Sequence, residues 1–109
     1  MDTRLPDSIA TFFHISNNSH VPLPRHCFTQ DAVVRDEGRT YLGYDAIQAW
    51  LLETQLKYAY STEPMSAVDD RVALHVQVKL AGNFPGSPLQ LIYSFTLINS
   101  QIFSLEIRS

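Results

Sequence analysis

The chain has 109 residues, a net charge of −3 and a pI near 5.7. That balance, without any basic run, argues against nucleic-acid binding, which needs clustered Lys and Arg to neutralise phosphates. With 45% hydrophobic residues the chain is too apolar for disorder, and its length predicts one domain over 1–109 burying roughly two-thirds of its unfolded surface. Cys27 is the only cysteine, so no internal disulfide forms and nothing points to an oxidising compartment. No stretch reaches the ~20 apolar residues that span a bilayer, and MDTRLPD at the start lacks the charged-then-apolar order of a signal peptide. The expectation is a cytoplasmic protein that needs no membrane.

Pro6 suits a helix start, with Asp7 and Ser8 at the positive end of the dipole. Ile9, Phe12, Phe13 and Ser16 follow helical spacing, and Asn17, Asn18 and Ser19 end that helix. Pro22 and Pro24 frame a segment of one or two turns through Phe28. Residues 32–36, Ala-Val-Val-Arg-Asp, predict a short strand, Gly38 a turn, and Arg39 to Leu42 a returning strand. Ile47, Trp50, Leu51 and Thr54 recur at i, i+3, i+4 and i+7, predicting an amphipathic helix from Tyr44 to Lys57.

From Ala59 the period changes to two. A strand near Tyr60 to Val68 leads through an Asp69-Asp70 turn to a second. There Val72, Leu74, Val76, Val78 and Leu80 face inward, and His75, Gln77 and Lys79 face solvent or a partner subunit. Asn83, Pro85, Gly86 and Pro88 make a loop. Leu89, Leu91, Tyr93, Phe95 and Leu97 share one strand face. After an Asn99-Ser100 turn, Phe103, Leu105 and Ile107 give the last strand its inner face. Helices first and long strands last predict an α+β fold. The expected architecture is a bent antiparallel (mixed) sheet wrapped as a cone around the N-terminal helices, with a mouth open to a small ligand.

The stretch FTQDAVVRDEGRTYLGYDAIQAW, Phe28 to Trp50, resembles the nuclear transport factor 2-like (cystatin-like) superfamily, most closely its SnoaL-like polyketide cyclase and ketosteroid isomerase branch. Phe28, Asp31-Ala32, Val33-Val34, Asp36, Gly43 and Ile47 carry the likeness. The resemblance implies a cofactor-free isomerase, cyclase or dehydratase, or a member with no chemistry. It sets Asp36 at the position of a general base. Phe12 stands where relatives place a tyrosine, and Tyr93 where they place an aspartic acid on the penultimate strand. One oxyanion donor is therefore lost and the other is changed in shape.

The residues themselves permit this reading. Asp36 shares a strand face with Val34, where a carboxylate is costly unless bonded or used. It serves as a proton acceptor if it borders a cavity; if it faces solvent it pairs with Arg35, Arg39 or a turn amide. The Tyr93 hydroxyl needs a partner, whether ligand carbonyl, Asp36, backbone or water. Phe12, His14, Val34, Trp50, Tyr58, Leu91 and Phe95 are the candidate ligand-binding residues, with Tyr41 and Tyr60 as further aromatic surface at the mouth. The spacing of His14, His20, His26 and His75 gives no metal site. Cys27 reads as a small buried hydrophobe. The partners expected are a small apolar molecule and a second copy, joined through the outer sheet face of Ile92, Ile98 and Ile102 among Gln90, Ser94, Thr96, Ser104 and Glu106. The rival is a non-catalytic ligand-binding or dimerisation module.

Overall fold

A computed structural model describes residues 5–18 and 21–109. Helix α1, Asp7–Ser16, begins after Pro6 and closes where the Asn17 backbone caps back onto Phe13 and His14 carbonyls. Ser19 and His20 lie outside the described residues. A single 3-10 turn, Arg25–Cys27, leads into β1, Phe28–Asp36. Strand β2, Arg39–Leu42, returns through Glu37 and Gly38, both at positive φ. Positive φ at two central residues matches the twist of a tight hairpin.

Helix α2, Tyr44–Tyr58, follows Gly43, and Ala59 in the left-handed conformation ends it. The remaining strands are β3, Ser61–Asp69; β4, Leu74–Ala81; β5, Leu89–Ile98; and β6, Gln101–Arg108. They form one six-stranded sheet in the order β2-β1-β6-β5-β4-β3. Among the described residues only β1 and β6 run parallel, so the sheet is mixed. This is the α+β architecture expected.

Helix α1 packs on β3 and β6, and α2 on β1 and β2. Both cover the same sheet face. The core joins Ile9, Phe12 and Phe13 of α1 to Ile47, Trp50 and Leu51 of α2, over Val34, Val76, Val78, Tyr93, Phe95, Ile102 and Leu105. Phe12 is its centre: its ring lies parallel to Trp50 and edge-on to Phe13, Phe28 and Phe95. Asn17 ties α1 to β3, its side chain donating to Thr62 O at 2.9 Å and accepting from Thr62 N at 2.7 Å.

Two strand-face expectations are corrected. Opposite Thr96 and Leu97 of β5, strand β6 places Ser104 and Ile102, leaving Phe103 as an extra residue. The bulge reverses the alternation, so Ile102 is fully buried and Phe103 half-buried. Ile102 is therefore core, not outer face. Val72 is 80% exposed, because β4 starts only at Leu74. The Asp70 side chain, accepting from the Val72 and Ala73 amides, draws both residues into the turn.

Candidate functional site

Alternation along β1 turns Ala32 and Val34 into the core and carries Asp36, at the strand's end, to the same side. There the strand meets α2. Trp50 Nε1 donates to Asp36 Oδ2 at 3.0 Å. The partners of this carboxylate are thus an indole N–H and the Glu37 backbone amide, the turn amide weighed from the sequence, and not Arg35 or Arg39. Two neutral donors do not replace the lost water. Burial raises the Asp36 pKa above the ordinary carboxylate value, the Glu37 charge adds to the rise, and the Trp50 hydrogen bond opposes it.

Asp36 borders a cavity of about 550 Å³, within the range of small-molecule sites. Trp50 and Tyr58 of α2 and Leu91 and Tyr93 of β5 line it with Asp36. Tyr93 is 4% exposed, and its hydroxyl has no hydrogen-bond partner among the described residues. Burial holds its pKa well above the ordinary tyrosine value, and the proximity of Tyr60 and Asp36 adds to the effect.

The other residues named from the sequence fall elsewhere. Phe12, Val34 and Phe95 are fully buried core. Phe12 backs the cavity through its contacts with Trp50 and Tyr93 without lining it. His14 is corrected outright: it lies on the exposed side of α1, because Phe12, Phe13, Ile15 and Ser16 take the buried side. His75 is not simply solvated. Its Nε2 lies 2.7 Å from Asp70 Oδ2 and its Nδ1 2.7 Å from Ser94 Oγ, which also accepts from Arg108 Nη1 at 2.7 Å. Cys27 is buried, its thiol pushed up to about 12 by desolvation.

Several lining residues were missed: Thr54, Leu80, Phe84, Leu89 and Ile107, with Tyr60 named only at the mouth. Tyr60 is half-buried with its hydroxyl 3.3 Å from Thr54 Oγ1. Burial raises its pKa, the Thr54 bond opposes that, and the Asp36 charge adds to it. Gly82 fixes this wall. A Cβ there would lie 2.7 Å from Tyr60 Cα and 2.9 Å from Tyr58 O, and the next amide, Asn83 N, donates to Tyr58 O at 2.8 Å. A glycine just after a strand is the signal that was available, since it marks close backbone approach.

A second hollow of about 320 Å³ meets the first at Asp36, Glu37, Trp50, Thr54 and Tyr58. It is a charged cleft, walled further by Arg39, Tyr41, Glu53 and Lys57. Asp36 and Trp50 therefore stand between a mostly apolar cavity and a charged cleft.

No family model matches the chain, and no curated protein matches it. Among solved structures it is similar to a "putative polyketide cyclase" from Sinorhizobium meliloti. The two are 35% identical over 95% of each chain, with a TM-score of 0.83. The chain belongs to the nuclear transport factor 2-like superfamily, in its SnoaL-like polyketide cyclase and ketosteroid isomerase-like branch. More distant likenesses show the same fold. A nuclear transport factor 2-like protein of unknown function from Cytophaga hutchinsonii is 12% identical over 98% of this chain and 90% of its own, TM-score 0.74. A protein of ketosteroid isomerase-like fold from Catenulispora acidiphila, in complex with trimethylamine, is 14% identical over 97% and 87%, TM-score 0.78. No helix among the described residues of this family member is long and apolar enough to cross a membrane.

Proposed function

We propose that the cavity binds a compact, mostly apolar carbonyl compound. Asp36 takes a proton from the carbon beside the carbonyl, and the Tyr93 hydroxyl donates to the oxygen that gains charge. The observation that carries this reading is the Tyr93 hydroxyl, which has no hydrogen-bond partner among the described residues and belongs to a residue lining the cavity that Asp36 borders. A ligand oxygen that accepts from this hydroxyl gains a hydrogen bond without displacing one made within the protein. The raised Asp36 pKa makes its carboxylate a stronger base than a solvated one. The chemistry needs no cofactor, and its class is isomerisation, cyclisation or dehydration. The trimethylamine complex of the Catenulispora acidiphila protein supports a small organic ligand for this fold.

A thermal-shift screen of small ketones, lactones and aromatic acids identifies the ligand. Asp36→Asn then abolishes turnover while folding and binding persist; unchanged turnover overturns the general-base role. One observation favours a second reading, a non-catalytic ligand-binding module. Phe12, on α1, offers no hydroxyl, so Tyr93 stands without the second donor of the isomerase relatives. Hits that bind without ever turning over select that reading. The half-buried Ile92 and exposed Ile98 of β5 support pairing of two copies through the outer sheet face. Sedimentation as a monomer at high concentration removes it.

A further inference from the structure

The two hollows are joined at one carboxylate. Asp36, Glu37, Trp50, Thr54 and Tyr58 belong to both. A ligand filling the apolar cavity covers the side of Asp36 that faces Tyr93. It leaves open the side that faces the cleft, where Glu37, Arg39, Glu53 and Lys57 are exposed. No ion pair within 4.0 Å joins these four among the described residues. Exposed charges of both signs draw water into a hollow of this size.

We infer that Asp36 exchanges its proton with water through this cleft while the cavity is occupied, so a proton taken from the ligand goes to solvent. The inference rests on the general-base reading above and extends it to the fate of the proton. The steps balance. The ligand's C–H bond breaks and its electron pair stays in the enolate, whose oxygen Tyr93 holds. The proton joins the Asp36 carboxylate and passes to cleft water, and the carboxylate is regenerated.

Returning one proton to another carbon of the same ligand needs a base sealed from water. Asp36 is not sealed. The site therefore suits reactions in which the proton taken from carbon is not the one returned, as when the enolate carbon attacks a second carbonyl and the alkoxide formed takes its proton from water. It is poorly built for an internal proton shift.

The probe is 3-cyclohexen-1-one, small enough for the cavity, incubated with the whole chain in D2O and followed by NMR. Removal of a C2 proton gives the dienolate, and return of a hydron at C4 gives 2-cyclohexen-1-one. The result expected is conversion faster than with Asp36→Asn, most of the product carrying deuterium at C4. Glu53→Trp, at an exposed position on the cleft wall, narrows the cleft without touching the cavity and shifts the product toward protium. Product that mostly retains protium in the unaltered chain overturns the inference and leaves Asp36 as the base. Labelling unchanged in Glu53→Trp removes the cleft as the route and overturns it too. Conversion no faster than with Asp36→Asn overturns both the inference and the general-base reading.

Discussion

The cavity and the outer face of the sheet each hold a carboxylate, a ring N–H and a hydroxyl, and they use them in opposite ways. The two hydroxyls are neighbours on β5: Tyr93 points in and Ser94 points out. On the outside every group is matched. Asp70 Oδ2 pairs with His75 Nε2, His75 Nδ1 with the Ser94 hydroxyl, and Ser94 Oγ accepts from Arg108. Inside, Asp36 and Trp50 satisfy each other, but the Tyr93 hydroxyl is left over. A closed set of hydrogen bonds is how a fold settles its own polar groups; an open one is how it waits for a ligand.

The difference is sharpened most by Asp36→Asn. General base catalysis contributes ~10²–10⁴-fold, so turnover of any substrate found should fall by about that factor. Stability moves the other way. Because the folded carboxyl titrates above its ordinary value, the folded state holds the proton more tightly than the unfolded chain. The ionised group therefore costs stability at neutral pH, and that cost fades as the pH falls toward the unfolded value. Thermal melts should show the variant more stable than the parent at pH 7, with the gap closing in acid. A variant less stable at pH 7 would mean that the Trp50 bond outweighs desolvation.

Gly82→Ala attacks the cavity through its wall. The new methyl meets backbone on the Tyr58–Tyr60 segment, which cannot swing aside as a flexible side chain does. Overpacking of this kind costs about 1–3 kcal/mol, read as a lower urea midpoint, and displacing Tyr58 and Tyr60 weakens ligand binding with it. Tyr93→Phe is gentler and more selective. The hydroxyl bonds nothing among the described residues, so stability is unchanged or rises. Affinity for a carbonyl ligand drops by about 1 kcal/mol, the worth of one hydrogen bond, measurable by calorimetry. Equal loss of stability and affinity would place Tyr93 with Ser94, as a group the fold uses for itself.

The same contrast explains what the sequence made legible. Periodicity reads which side of a strand a residue takes, so Asp36 and Tyr93 could be assigned to the inner side with Val34 and Phe95. It does not read where packing stops. Phe95 and Tyr93 alternate on one face, yet one is core and the other borders the cavity, because the helices cover the sheet only part-way. Nor does it survive a bulge, which moved Ile102 inward and Phe103 out. Pairings between distant residues carry no local pattern at all. Asp70, His75 and Ser94 come together only because the turn after β3 and the register of β4 on β5 put them in one row. Trp50 reaching Asp36 is of the same kind, since indole N–H and carboxylate meet only once α2 lies on β1.

The smallest effect expected is in the outer relay, and it separates the two regions by pH. Asp70 is held at about 2, below the 3.8 of an unperturbed carboxyl, by the Ala73 amide first and then by His75 and the Val72 amide. A depressed folded value means the unfolded chain binds the proton more tightly. The contribution is therefore complete above about pH 4 and disappears as the pH falls through 2. Asp70→Asn keeps an oxygen for the turn amides and loses the charge facing His75. Its melting temperature should lie slightly below the parent's at neutral pH and merge with it near pH 2. Added salt should shrink the gap, because an exposed charge is readily screened. Ligand affinity should not change, since Asp70 touches neither hollow. A fall in affinity here, with melting unaltered, would show that the outer face is not closed on itself and that the sheet couples it to Tyr93 through β5.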